Sequence, residues 1–208
     1  MKKIEIIDVL KHNLAGGDCP QELIGKYHPE ILSKHIEMAW NYLIKTVAYR
    51  EAEQLDDWGL LDAFTKTYVP VEVKFDEVRN ERYSNLPVSI VDLPRNRGIR
   101  FISDIHNQSN QYLYRDNNSV DIYSNLDVSK VIPTPRYYRE GDKVFYSGLS
   151  SLIPNVLQKL IPNFSSLDDD DEVPIPSAYN KLIFDLVYQQ MMNLRPEKLS
   201  NDNNSNTI

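Results

Sequence analysis

The chain reads as an α+β protein: N-terminal helices, a central run of short antiparallel strands with extended arms, and a C-terminal apolar helix. Three observations predict this. Apolar residues recur with a 3.6-residue period up to about Gln54, and the period falls to 2 at Val71-Glu72-Val73-Lys74-Phe75. Eight of the 12 prolines follow an aliphatic residue, as in Val69-Pro70, Leu93-Pro94, Ile161-Pro162 and Val173-Pro174. Each proline removes a ladder donor and pushes its predecessor to extended geometry. The pairs therefore predict interrupted edge strands and arms whose side chains pack against something else.

Taken in order, Lys2 to Asn13 predicts an amphipathic helix with Ile6, Val9, Leu10 and Leu14 on one side. Gly16-Gly17-Asp18-Cys19-Pro20 stops it. His28-Pro29 opens the strongest helix, whose expected apolar stripe is Ile31, Met38, Ala39, Tyr42, Leu43, Thr46 and Val47, with His35 among them. At ~1.5 Å per residue such a helix is about 40 Å long, more than a compact domain of this size needs. Asp56-Asp57-Trp58-Gly59 breaks it, and a short helical piece follows at Leu60–Thr65.

Strands are expected at Val71–Phe75, Val88–Val91, Ile99–Ile105 (Ile99, Phe101 and Ile105 sharing a face), Gln111–Tyr114 and Asp142–Ser147. Val156–Ile161 reads as strand, with a helix over Leu152–Leu160 nearly as good. Arg115 to Arg139 lacks periodicity and reads as a long excursion, the kind of loop that function or a partner orders. Ser177 caps a last helix from about Ala178 to Asn193. Leu182, Ile183, Phe184, Leu186, Val187 and Tyr188 leave it almost no polar side, which calls for burial all round, as between subunits. The expected organisation is one domain over 1–194, with a helical part (1–66), a β-rich part (67–163, including the loop 115–139) and an acidic linker plus helix (164–194). An Asn/Ser-rich tail, 195–208, is expected to be disordered.

The bulk composition excludes some roles. No stretch approaches the roughly 20 apolar residues of a membrane span, and the carboxylates in Ile4-Glu5-Ile6-Ile7-Asp8 argue against a secretory leader. A single cysteine, Cys19, fits a reducing cytoplasm. The net charge of −7 disfavours wrapping nucleic acid. Phe164–Ile208 alone holds eight acids against three bases. Thirteen tyrosines suit a protein rich in interfaces, although tyrosine also fills ordinary cores.

The chemistry-bearing residues favour bland roles. Asp168-Asp169-Asp170-Asp171-Glu172 lacks the alternation and turn glycine of a cation loop, and reads as a solvated linker. His28 and His35 are too far apart along one helix to share a metal, so capping and packing are expected of them; His12 and His106 stand alone. Cys19 has no basic partner in its turn, and Gly16-Gly17 lacks the rest of a phosphate loop. Neither a catalytic residue, nor a cofactor, nor a metal is expected. Basic residues gather at Arg95, Arg97 and Arg100, and again at Arg136, Arg139 and Lys143 among Tyr137, Tyr138, Phe145 and Tyr146. Such a mixture stacks on single-stranded nucleic acid or forms a protein interface; the acidic whole favours the interface.

The layout resembles the ring or adaptor proteins of the head-to-tail connector of tailed bacteriophages, most closely those of crAss-like podoviruses of gut Bacteroides. The helices leading into strands with aliphatic-proline pairs carry the resemblance. So does the run Leu167-Asp168-Asp169-Asp170-Asp171-Glu172-Val173-Pro174-Ile175-Pro176 passing into the helix Tyr179–Met191. The resemblance implies a virion protein assembled in the host cytoplasm, with no enzymatic activity and no cofactor. It implies a closed ring, commonly a dodecamer, docked against the portal protein and neighbouring tail or ring proteins. DNA would pass non-specifically through its lumen, and no membrane would be involved. Expected partner-facing residues are Tyr137, Tyr138, Arg139, Phe145, Phe184 and Tyr188; expected lumen-facing acids are Asp168, Asp169, Asp170 and Asp171. The competing expectation is an adaptor that binds protein or nucleic acid without forming a ring, with a hydrolase third.

Overall fold

The computed structural model describes residues 1–14, 28–115 and 134–193. The Gly16–Pro20 stop, most of the 115–139 excursion and the 195–208 tail lie outside the described residues. The fold is α+β, with four α-helices and two sheets among the described residues.

Helix α1 (Lys3–Leu14) buries Ile6, Ile7, Leu10 and Leu14, with Val9 turned out to solvent. Helix α2 (Pro29–Tyr42) starts on His28, whose Nδ1 accepts the Glu30 N–H at 3.4 Å. It continues without a break through a π-turn, Leu43–Ala48, into α3 (Tyr49–Leu55). The buried face is Leu32, Ile36, Ala39, Trp40, Leu43 and Ile44, then Ala48 and Ala52. A π-turn holds one extra residue, so the buried positions slip by one along the chain at Ile44. The expected stripe is thus corrected: Ile31, Met38 and Tyr42 are exposed, and only Ala39 and Leu43 of its members are buried. Asp56, in the left-handed region, ends α3, and the Asp57 carboxylate accepts the Gly59 N–H to start a 3-10 turn, Trp58–Phe64.

The first sheet is antiparallel, in the order β1 (Lys66–Glu72), β8 (Asn155–Leu160), β4 (Ile99–Asp104). Residues 155–160 are therefore strand, and central. The register shifts on both flanks of β8, at Val69-Pro70 in β1 and at Arg100 in β4. The bulge at Arg100 puts Ile102 with Ile99 in the core, correcting the expected Ile99/Phe101/Ile105 face. The second sheet has the order β2 (Lys74–Asp76), β3 (Glu81–Asn85), β7 (Lys143–Ser147), β6 (Arg136–Glu140), β5 (Leu113–Tyr114). Among the described strand pairs only β5–β6 is parallel. Val73 separates β1 from β2, so Val71–Phe75 is two strands, and residues 136–139 belong to a sheet instead of a loop. Val88–Val91 forms no strand; it meets the core through the Ile90–Pro162 bridge and the Val91 N–H to Ile161 oxygen bond. The same crossing needs Gly98, where a Cβ would collide with the Val91 carbonyl.

Two hydrophobic cores result. One joins the helices to Val91, Leu93, Ile161, Phe164, Leu167 and Val173; Trp40 donates its indole N–H to the Pro162 carbonyl at 2.9 Å within it. The other fills the space between the sheets, where Val144, Tyr146, Ile102, Val156 and Leu160 meet. Helix α4 (Ser177–Asn193) packs against α2 through Ile183 and Val187 while Lys181, Asp185, Tyr188 and Gln189 face out. It has a polar side after all, and the expectation of burial all round is corrected. The proline pairs behave likewise. Leu93, Ile161 and Val173 are buried and Leu86, Ile153 and Ile175 pack partly buried, all against the chain's own cores; Val69 is exposed. The arms expected to need a partner find their cover at home.

Candidate interaction surfaces

A second apolar stripe on α2 follows from the burial just described. Ile31, Met38 and Tyr42 recur at helical spacing on one side, 41%, 58% and 49% exposed. Between them His35 shares a hydrogen bond with the Gln190 side chain of α4 at 3.2 Å. Tyr188, on that same neighbouring helix, is 48% exposed. Phe184 is partly buried against the core.

The outer face of the five-stranded sheet is the second surface. Cross-strand partners share a face, so the pairs Tyr83–Phe145 and Tyr138–Phe145 line up three aromatic rings across β3, β7 and β6. Tyr138 stacks on Phe145 with centroids 5.2 Å apart and planes 13° from parallel. The Arg79 guanidinium lies 4.6 Å from the Phe145 centroid and pairs with Glu140; Lys143 lies 4.6 Å from the Tyr83 ring. Arg79 holds the Glu140 carboxyl below its usual range by hydrogen bonding. The Tyr138 hydroxyl donates to Glu81, and burial followed by that carboxylate pushes it up to about 12.

These contacts sort the residues expected at an interface. Tyr137 and Phe145 are buried, so their side chains offer a partner nothing; that part of the expectation is corrected by the chain's own packing. Tyr137 faces the intersheet core, and Arg139 is tied to Gly141 oxygen at 2.8 Å and to Asp92 at 3.4 Å. Tyr138 stays half-buried, and Tyr188 is open.

The acidic run is an organised strap. Lys3 and Ile4 donate their backbone N–H groups to the Asp171 and Asp169 carbonyls at 2.9 and 3.1 Å, and Val173 donates to the Met1 carbonyl at 3.0 Å. Lys2 pairs with Asp170 and Lys66 with Asp171, while Lys3 Nζ reaches the Leu167 carbonyl at 2.6 Å. Bonding to Lys66 lowers the Asp171 pKa, and bonding to Asp170 raises that of Lys2. The expected solvated linker is corrected: its backbone carries α1. The Asp169 and Asp170 side chains still point largely to solvent. Sequence reading missed this because the lysines that bind the strap, Lys2, Lys3 and Lys66, lie far from it along the chain.

A polar triad spans the two sheets. Gln158 donates to Ser84 at 2.8 Å and to the Tyr146 hydroxyl at 3.0 Å, all three fully or nearly fully buried. Burial pushes the Tyr146 hydroxyl up to about 12. Among the described residues, no group of three His, Cys, Asp or Glu side chains stands close enough to hold a metal ion, and no helix is long and apolar enough to cross a membrane. No protein-family model matches the chain, and no curated protein matches it in sequence.

Proposed function

We propose that this chain is a non-catalytic structural subunit that assembles with copies of itself, as a ring of a phage head-to-tail connector between portal and tail. The observation that supports the reading is the uncovered stripe Ile31, Met38 and Tyr42 on α2. Single exposed apolar side chains are ordinary, whereas an aligned row along a helix of the main core is not. A helix apolar on two sides is suited to stand between its own core and a neighbour. In this reading the neighbouring copy covers the stripe together with Tyr188, and the exposed carboxylates of Asp169 and Asp170 give the assembled wall negative charge along which DNA slides. Head-to-tail contacts of this kind close into a ring when the rotation per copy divides a full turn.

A second reading rests on the outer sheet face, where Tyr83, Tyr138, Arg79 and Lys143 form a mixed aromatic and cationic surface. It makes the chain an adaptor for one protein or nucleic-acid partner without a ring. Light scattering and negative-stain microscopy of the purified chain, alone and mixed with portal protein, separate the two. Closed particles of a fixed copy number are expected. A chain that stays monomeric under both conditions overturns the ring.

A further inference from the structure

The loop Pro94–Gly98 lies where the helical layer meets both sheets, and it holds a guanidinium without an acceptor. Arg97 stands 3.2 Å from the centroid of the Trp58 ring, and Tyr49 packs on Trp58 at 5.4 Å. Its Nε is sealed from solvent, and among the described residues none accepts a hydrogen bond from it or from the rest of the guanidinium.

The nearby carboxylates are engaged elsewhere. Asp62 takes Arg100 Nε at 2.7 Å, Asp56 takes the Trp58 indole N–H at 3.2 Å, and Asp57 takes the Gly59 N–H at 3.0 Å. Arg100 spends a second nitrogen on the Trp58 carbonyl at 2.7 Å. Arg95 is exposed, held in the turn at φ 55°, and no described carboxylate pairs with it. Burial lowers the Arg97 pKa; Arg100 and Arg95 add to that, against Tyr49 and Asp56. Arg100 and Arg97 meet on the same residue, Trp58, the one at its carbonyl and the other at its ring, and Arg95 lies two residues before Arg97 in the turn.

From this geometry we propose a binding site, on Arg97 and flanked by Arg95 and Arg100, that takes a phosphate group. A stacked guanidinium is pre-organised, and its planar fork matches two phosphate oxygens. A phosphate brings acceptors to the terminal nitrogens of Arg97, the sealed Nε staying out of its reach, and adds negative charge to that of Asp56 beside Arg97 and Arg95. Inorganic phosphate and the phosphodiester of a nucleic-acid strand share this chemistry. The proposal goes beyond the assembly reading and does not depend on it.

Trp58 is the reporter, since Trp40 is fully buried. The full chain is titrated with inorganic phosphate and, separately, with an oligothymidylate, each at two salt concentrations and against a chloride control of equal ionic strength. A saturable change in emission is expected. Arg97→Lys, which keeps the charge and loses the fork, weakens it about tenfold. Arg95→Ala, at an exposed position, weakens it by a smaller factor and lowers the salt dependence of oligonucleotide binding by about one ion. Saturation by the oligonucleotide well below the phosphate concentration required identifies the phosphodiester as the ligand; saturation by phosphate alone identifies the free anion. The site is overturned by no saturable response to either probe, by a response that chloride reproduces, or by one that neither Arg97→Lys nor Arg95→Ala alters. Arg97→Lys and Arg95→Ala are compared with the parent by circular dichroism, so that a folding defect is not read as lost binding.

Discussion

Leu32, Ile36 and Ala39 line one side of α2, and Ile31, Met38 and Tyr42 line another; the chemistry is nearly the same and the surroundings are opposite. The first row meets α4 and the segment Ile161–Phe164, and is sealed. The second meets solvent. Apolar spacing reports that a helix has something to bury, and it does not report which side its own chain covers. The contrast extends to the whole molecule. The strap at Asp168–Glu172 looks like a free acidic linker and is tied down by lysines, while the outer stripe looks like core and is free.

Perturbation of the covered row should give the largest effect. Trp40→Ala removes a fully buried indole and leaves the Pro162 carbonyl without its donor, so unfolding free energy should fall by about 3–5 kcal/mol in urea denaturation. Next comes the polar triad between the sheets. Tyr146→Phe should cost about 1–3 kcal/mol, because Gln158 and Ser84 lose a buried partner. Tyr146 also predicts alkaline behaviour. Its folded pKa of about 12 lies above the ordinary value of 10.0, so its contribution is intact below pH 10 and is lost as pH rises towards 12. Phenolate absorbance alongside circular dichroism should show unfolding and ionisation together in that window.

The strap should respond less, and at acid pH. Lys66 depresses the Asp171 pKa, so that pair stabilises the fold above the ordinary carboxylate range and the contribution disappears as pH falls through the lowered value. Asp171→Asn should cost about 1 kcal/mol or less at neutral pH and flatten the acid limb of a stability profile. Smallest of all is the outer stripe. Ile31→Ser should change the stability of the isolated chain by no more than about 0.5 kcal/mol, since its side chain has no core to leave. If Ile31→Ser matches Trp40→Ala in cost, the contrast between the two rows is wrong.

The sequence was most legible where periodicity and capping agree. The His28 cap, the 3-10 turn after Asp57, β7 and the last helix fall close to where the pattern places them. It was illegible where burial is polar. Strand β3 (Glu81–Asn85) offers no apolar alternation because its core residue is Ser84, satisfied by Tyr146 and Gln158. Strand β6 (Arg136–Glu140) alternates Tyr137 into the core with Tyr138 onto the outer face, so both sides look alike. The π-turn and the Arg100 bulge each shift a register by one residue, which no local propensity announces. Of the surfaces, the cation and aromatic groups were visible as sequence clusters. Their pairing was not: Arg79 on Phe145, Arg97 on Trp58 and Lys66 on Asp171 are all long-range products of the fold.

The uncovered stripe is best tested by native mass spectrometry of the parent chain beside Met38→Glu/Tyr42→Glu, with circular dichroism of both. Carboxylates placed there should abolish the assembled species and leave the helical signal and thermal midpoint unchanged. An identical distribution of assembled masses in the two proteins would contradict the assignment of that helix side to a neighbouring copy.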